Sequence, residues 1–439
     1  MKVTAIVGRN GSGKTLYVEK MRRQMASDRV RYIAFRDSYG VATDQAYYLQ
    51  LRWNQHDIDA ETPTTGDLLE RAFLLSGPDS AKRRQWQKHL YQLFDLQPLM
   101  NKYVITLSSG ELRKFQLAKT LLTQPAILIM DAPFIGLDSE TRSQLRQLLR
   151  LLAEEQRLEI YLVLSSLYDV PDYVTDIISI DDISTDDGPG LSTENRNLIL
   201  DLPHNSREYH AEEVVKMNHV SIRYGERTIL KDLDWTIMNG QHWVLSGQNG
   251  SGKSTLLSLI CADNPQGYAC DISLFGHQRG SGESIWEIKR HIGYVSPEMH
   301  RSYHRDLPAL RIVASGLKDT IGLYVQPTPE EREQCLWWMR IFGIEHLADR
   351  SFLRMSSGEQ RLVLVTRAFV KDPALLILDE PLHGLDDYNR HLVKDVINTF
   401  CQRPNKTLIF VSHYKEEQPA CIDHELILGN QMEKRLEIV

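Results

Sequence analysis

Short unbroken apolar runs recur along this chain, and none of them is long. VTAIV, ILIM and IYLVL lie in the first half; WVL, LLIL and TLIFV lie in the second. Runs without a polar residue at every second place are the pattern of strands buried on both faces of a parallel sheet. Between them come longer segments with apolar residues at helical spacing, and residues 66–103 and 283–350 read as mostly helical. Strand alternating with helix predicts an α/β fold. One segment breaks the pattern. VVKMNHVSIRYGERTILKDLDWTIMNGQ, about residues 214–241, alternates apolar with polar and predicts antiparallel strands with one buried face. No stretch comes near the roughly 18 uncharged apolar residues of a membrane-spanning helix.

The pattern also repeats. LSSGELRKFQLAKTLLTQPAILIMDAPFIGLD returns as MSSGEQRLVLVTRAFVKDPALLILDEPLHGLD, with Ser108 on Ser356, Asp131 on Asp379 and Asp138 on Asp386 at one constant offset. GRNGSGKT near the start likewise returns as GQNGSGKS from Gly247. Landmarks in the same order mark a duplicated domain. The alternating 214–241 segment precedes the second copy and has no counterpart before Gly8 in this sequence. The expected layout is a first domain over 1–183, an acidic linker over 184–212 and a second domain over 213–439. DDISTDDGPGLSTENRN, at 181–197, supplies the solvated composition of the join.

Composition narrows the setting. The chain has 439 residues, 42% of them hydrophobic and 25% charged, with a net charge of −7. That acidity speaks against non-specific attraction to nucleic acid or an anionic membrane, so no nucleic-acid partner is expected. The five cysteines, all in the second half, form no CxxC pair and read as reduced thiols in a cytoplasmic protein. The first motif begins too early to leave room for a signal peptide. Lys82, Arg83 and Arg84 read as a solvated helix face, and Trp337–Trp338 as the core of a helical subdomain.

The two Gly-rich segments carry the chemistry. Gly8, Asn10, Gly11, Ser12, Gly13, Lys14 and Thr15 form one GxxxxGK[ST] loop; Gly247, Asn249, Gly250, Ser251, Gly252, Lys253 and Ser254 form the other, which continues into Thr255. Glycines are needed because backbone N–H groups must wrap a polyphosphate at angles that side chains forbid. The loop ends at a helix N-terminus, which favours anions. The lysine reaches the terminal phosphates, and the Thr or Ser hydroxyl faces Mg²⁺. Asp131 and Asp379 close apolar strands and bring a carboxylate to the metal. The next residue differs. Glu380 can orient or deprotonate a water, and Ala132 can do neither. FVSH ends in His413, whereas the matching VLSS ends in Ser166. Two changes on one face point to a second copy equipped for hydrolysis and a first copy impaired.

The loops, the SSGE segments (Ser108 to Glu111 and Ser356 to Glu359), the strands ending in Asp and the GLD segments resemble those of the ABC ATPase family over nearly the whole chain. The resemblance implies two tandem P-loop NTPase domains, each a mainly parallel sheet with a helical subdomain, the second also with an N-terminal antiparallel β section. It implies ATP and Mg²⁺ as ligands and head-to-tail pairing of the two copies within one chain. One site would then combine Lys253, Ser254, Asp379, Glu380 and His413 with Ser108 and Gly110. The other would combine Lys14, Thr15 and Asp131 with Ser356 and Gly358. Tyr224, in VSIRYGERTIL, resembles the aromatic that stacks on adenine. The family's metal-contacting glutamine is displaced here. IGYVSPEMH leaves Glu298 as the nearest candidate in the second copy, and Asp37 and Gln50 are candidates in the first.

Residues 263–296 are more individual and resemble a tandem branch of the family associated with molybdate uptake, although no motif contacts that oxyanion. Two functional classes follow from the resemblance. One is the ATPase of a transporter, working with a membrane permease in trans and lying at the inner face of the membrane. The other is a non-transport ATPase, a ribosome-associated factor or nucleotide-gated regulator. The short acidic join between copies, unlike a long basic linker, opposes ribosome binding.

Overall fold

The computed structural model describes residues 2–25, 29–35, 62–104, 107, 109–134, 137, 139–156, 158–181, 190–202, 212–224, 227–248, 250–297, 299, 303, 306–320, 326–429 and 434–438. The chain divides into two units, Met1–Thr185 and Asp186–Val439.

The first unit runs β1 (Lys2–Val7), α1 (Lys14–Gln24), β2 (Val30–Ala34), α2 (Thr65–Leu75), α3 (Ala81–Leu93), α4 (Ser109–Leu121), β3 (Ile127–Asp131), α5 (Ser139–Gln156), β4 (Glu159–Leu164) and β5 (Asp176–Ser179). Its sheet has the order β2-β3-β4-β1-β5, parallel throughout. Strand residues point alternately to its two faces. Val3, Ala5, Val7, Leu128, Met130, Ile160 and Leu162 pack in the larger core cluster, with side chains of α2 to α5. Ile6, Ile129, Tyr161 and Val163 pack on the other face with Val18 and Met21 of α1. Both faces are covered, which is why these strands read as continuous apolar runs.

The second unit runs α6 (Thr193–Leu200), β6 (Glu213–Tyr224), β7 (Arg227–Met238), β8 (His242–Gly247), α7 (Lys253–Ile260), β9 (Asp271–Leu274), β10 (His277–Gln278), α8 (Ile285–Lys289), β11 (Ile292–Val295), α9 (Ala309–Ala314), α10 (Pro329–Ile341), α11 (Ser357–Phe369), β12 (Leu375–Asp379), α12 (Asp387–Cys401), β13 (Thr407–Val411), β14 (His424–Leu428) and β15 (Lys434–Ile438). Its main sheet is β11-β12-β13-β8-β14-β15, the strand order of the first unit with an antiparallel edge strand added. The alternating segment forms β6 and β7, which join β9 and β10 in an antiparallel sheet. Among the described residues no helix is long and apolar enough to cross a membrane.

Three local readings change. The stretch 283–350 contains β11, because IGYV pairs with β12 in the sheet; so short an apolar run carries no period of its own. Within the stretch read as a linker, α6 docks on the second unit. Ser192 caps it by accepting from Asn195 N, Leu191 and Ile199 are buried, and Leu191 N donates to the Asp395 carboxylate at 3.0 Å. Two apolar residues in a polar stretch were enough to anchor it. Arg83 and Arg84 are also more than a wet face. Both guanidinium groups lie 4.3 Å from the Phe73 ring centroid, and Arg84 pairs with Glu70 and Asp79. Trp338 is buried in the helical subdomain, with Trp337 packed partly exposed against the same core.

Replacing Ile199 by Ala should lower the stability of the second unit by about 3 kcal/mol, through lost burial and a residual cavity. The exposed neighbour Leu198→Ala should stay within about 0.5 kcal/mol. Urea unfolding of the two variants measures the difference.

Candidate functional site

In both main sheets the Gly-rich loop leaves a central strand, β1 or β8, at its C-terminal end and opens a helix, α1 or α7. That edge is where open α/β sheets bind their ligands. The loops require glycine in detail. Gly13 and Gly252 adopt φ of 90° and 100°, and Gly11 and Gly250 adopt 80° and 82°. A Cβ on Gly247 would lie 2.4 Å from the Leu428 carbonyl oxygen. Each loop lysine folds over its own loop. Lys14 Nζ donates to the carbonyls of Gly8 and Arg9, and Lys253 Nζ donates to those of Gly247 and Gln248 at 2.6 and 3.0 Å. Ser12 Oγ and Ser251 Oγ are buried in these loops without a hydrogen-bond partner. Buried hydroxyls left unsatisfied are costly, and beside a ring of amides and a lysine they suit an anionic ligand. Thr15 and Ser254 lie exposed in the first helical turn, while Thr255 is buried. Ser108, Asn249, Glu298, Asp37, Gln50 and Asp138 lie outside the described residues.

Asp131 and Asp379 end β3 and β12, each one strand removed from the loop-bearing β1 or β8. With Thr15 and Ser254 they offer only oxygen donors, which suits Mg²⁺. Among the described residues no group of three His, Cys, Asp or Glu could hold a metal by itself. A cation here would therefore rely on phosphate and water for its remaining ligands, as Mg²⁺ does. In the first unit Tyr32 donates its hydroxyl to Asp131 Oδ2 at 2.8 Å.

The corner after each Asp has one backbone and two chemistries. Ala132 and Glu380 adopt left-handed φ values of 55° and 50°. Their N–H groups donate to Val163 and Val411, each at 3.0 Å. A non-glycine residue held there is strained. Glu380 meets His413 Nε2 through Oε1 at 3.1 Å, and His383 Nδ1 lies 3.8 Å from its Oε2. Arg361, itself buried, donates to the carbonyls of Asp379, at 2.8 Å, and Glu380. Burial pushes the Glu380 carboxyl up, but the His413 hydrogen bond and the charges of His383, His413 and Arg361 outweigh it and hold it well below the usual carboxylate range. In the first unit Ser166 is fully buried, and its hydroxyl accepts from Tyr168 N at 3.1 Å.

Further features surround these loops. Ser356 caps α11 by accepting from Glu359 N, and the Glu359 carboxylate accepts from Ser356 N at 2.7 Å. Gly358 is buried in the first turn, and in the first unit a Cβ on Gly110 would lie 2.7 Å from Thr141 Cγ2. Tyr224 ends β6 half-buried, its hydroxyl accepting from Asn264 Nδ2 at 3.0 Å. The Asp181 carboxylate accepts from Arg9 N at 3.0 Å. Pairing of Val7 with Ser179 and of Ser246 with Ile427 puts Asp181 where the second unit has Gly429. Sequence reasoning passed over Arg361, Asn264 and Asp181. Arg361 had a signal, since SSGExR occurs in both copies.

Duplicated Gly-rich loops on parallel sheets, with helix-opening SSGE segments and acidic strand ends, define a tandem P-loop ATPase. The chain belongs to the ABC transporter ATP-binding family, whose model matches residues 1–135 and 230–383. It is 34% identical over 457 aligned positions to the ABC transporter ATP-binding protein ModF of Escherichia coli, covering 96% of this chain and 90% of that one. It is 27% identical to an uncharacterised ABC transporter ATP-binding protein of Schizosaccharomyces pombe, with 97% and 92% covered. Among solved structures it matches the RNase-L Inhibitor with a TM-score of 0.52 at 18% identity, covering 97% of this chain and 83% of that one. At that identity the likeness is one of fold. Members of the family are ATPases that bind ATP with Mg²⁺.

Arg361→Met should strip donors from two carbonyls in this corner and destabilise the second unit by about 2–4 kcal/mol. Arg361→Lys should recover less than half of that, because a single ammonium does not reproduce the planar fork. Chemical denaturation reads both.

Proposed function

We propose that the chain is the ATP-hydrolysing motor of a transport system and that it runs on the second copy's site. The observation that carries this reading is the pair of matched corners: the same backbone presents a carboxylate at Glu380 and a methyl group at Ala132. In the second copy the loop amides and Lys253 bind the β and γ phosphates, and Ser254 and Asp379 hold Mg²⁺. The metal supplies neutralisation of phosphate charge. Glu380 aligns the attacking water, His413 holds Glu380, and Tyr224 stacks on the base.

The first copy keeps Lys14, Thr15 and Asp131, so it retains the groups that would bind nucleotide and metal. It lacks a carboxylate at Ala132 and an imidazole at Ser166. Asp181 adds negative charge at the loop, and Tyr32 engages the Asp131 carboxylate. This copy serves as the regulatory partner, pairing with the second as the family resemblance implies.

A transport role is supported by the near full-length match to ModF, itself described as an ABC transporter ATP-binding protein. The membrane spans then belong to a permease in trans, which holds the chain at the inner membrane face. The character of residues 263–296 makes molybdate the first solute to try. Affinity capture from the native cell should recover a permease; recovery of ribosomes in its place would replace the transport reading.

Glu380→Gln should cut steady-state ATP turnover by about 10² to 10⁴ while leaving ATP binding intact. Turnover equal to the wild type would remove Glu380 from its role. Lys253→Ala should abolish turnover, and Lys14→Ala should reduce it far less. Equal losses from the two lysine variants would show that both loops are required for hydrolysis.

A further inference from the structure

Within the core shared by the antiparallel sheet and α7, one side chain ties the end of β6 to the helix that the Gly-rich loop opens. Asn264 lies four residues past the end of α7 and is buried to 6% exposure. Its amide is fully used. Oδ1 accepts from Gln266 N at 3.0 Å, while Nδ2 donates to Ser258 Oγ at 3.2 Å and to Tyr224 Oη at 3.0 Å. The bond from Gln266 N fixes the amide's orientation, because only the oxygen can accept it; Nδ2 must therefore face Tyr224. Ser258 is a residue of α7, the helix opened by Lys253 and Ser254, and the Asn264 N–H also donates to the Ser258 carbonyl at 3.1 Å. A second strap runs alongside, with Gln266 Nε2 donating to the Arg223 carbonyl at 3.0 Å.

We propose that Asn264 is a positioning residue for ATP at the second site: it fixes the Tyr224 ring relative to the phosphate-binding helix, so that the base platform and the phosphate loop are held at one spacing. This rests on Tyr224 being the surface on which adenine stacks. Tyr224 packs against the core of the second unit, and rotation of its ring away from the stacking position would cost affinity. The bond from Nδ2 opposes such a rotation by holding the phenol oxygen near the end of α7. Because α7 begins at the phosphate loop, the constraint acts on the distance between base and triphosphate. It touches neither the metal ligands nor Glu380, so the effect falls on KM and leaves kcat in place.

The test separates this role from a structural one. Asn264 is also the N-cap of a short 3₁₀ turn. Serine keeps a capping oxygen but is too short to reach Tyr224. Asn264→Ser should raise KM for ATP about threefold with kcat unchanged. Tyr224→Phe keeps the ring, removes the acceptor of the same bond and should do the same. The double variant should rise no further, since both changes break one bond. Tyr224→Ala should raise KM about tenfold by removing the stack. A wild-type KM in Asn264→Ser, or a double variant showing the product of the single effects, overturns the proposal. If Asn264→Ser lowers the unfolding midpoint, Tyr224→Phe reads the same bond from the other side, and an unchanged KM there overturns it. A wild-type KM in Tyr224→Ala sinks the stacking reading itself; a raised KM there with the other two unchanged sinks only the role of Asn264.

Discussion

A carboxylate kept charged in a largely buried corner needs donors on several sides, because desolvation alone would drive it neutral. Glu380 meets that constraint through His413, His383 and the positive field of Arg361. The same guanidinium bonds the carbonyls of Asp379 and Glu380 and steadies a backbone that is itself strained. The corner therefore has one economy of parts. The groups that hold the Glu380 carboxyl below the usual carboxylate range also hold it in place.

The duplicated unit shows what belongs to the scaffold and what belongs to the chemistry. Strand order, loop torsions, the folded-over lysine and the left-handed corner occur in both units. Around the loops the differences lie in side chains laid on that frame, Ala132 for Glu380, Ser166 for His413 and Asp181 for Gly429, while the second unit also adds the antiparallel sheet and β15. Ala132 is informative because alanine gains nothing from a left-handed φ. Its strain persists because strand pairing and the bond to Val163 determine the backbone there. The fold alone thus enforces the corner, whether or not a catalytic group stands in it.

Much of this was legible in the sequence, for physical reasons. Parallel strands buried on both faces must be continuous apolar runs, so β1, β3, β4, β8, β12 and β13 were visible; the repeated motifs fixed their order along the chain. β11 was not, because four residues carry no period. Helix α6 was hidden because its docking rests on Leu191 and Ile199 within a polar composition. The loops announced themselves through glycine, whose torsions are a backbone requirement. Asn264 could not, since an Asn-Pro pair reads as an ordinary turn and its partner Tyr224 stands forty residues away.

Side-chain differences on a shared frame also bear on how two copies of one fold can carry different groups at matched corners. The first unit is packed and its sheet is paired with Ala132 and Ser166 standing where the second unit has Glu380 and His413. Stability there comes from burial across the sheet, while catalysis would depend on a few groups at one sheet edge. Selection on the two can therefore separate. The first unit keeps its Gly-rich loop and the left-handed corner at Ala132 with neither an acid nor an imidazole at those places. That separation lets two copies differ at their matched corners in side chains alone, while the strand order of the main sheet is shared and the second unit adds the antiparallel sheet and β15.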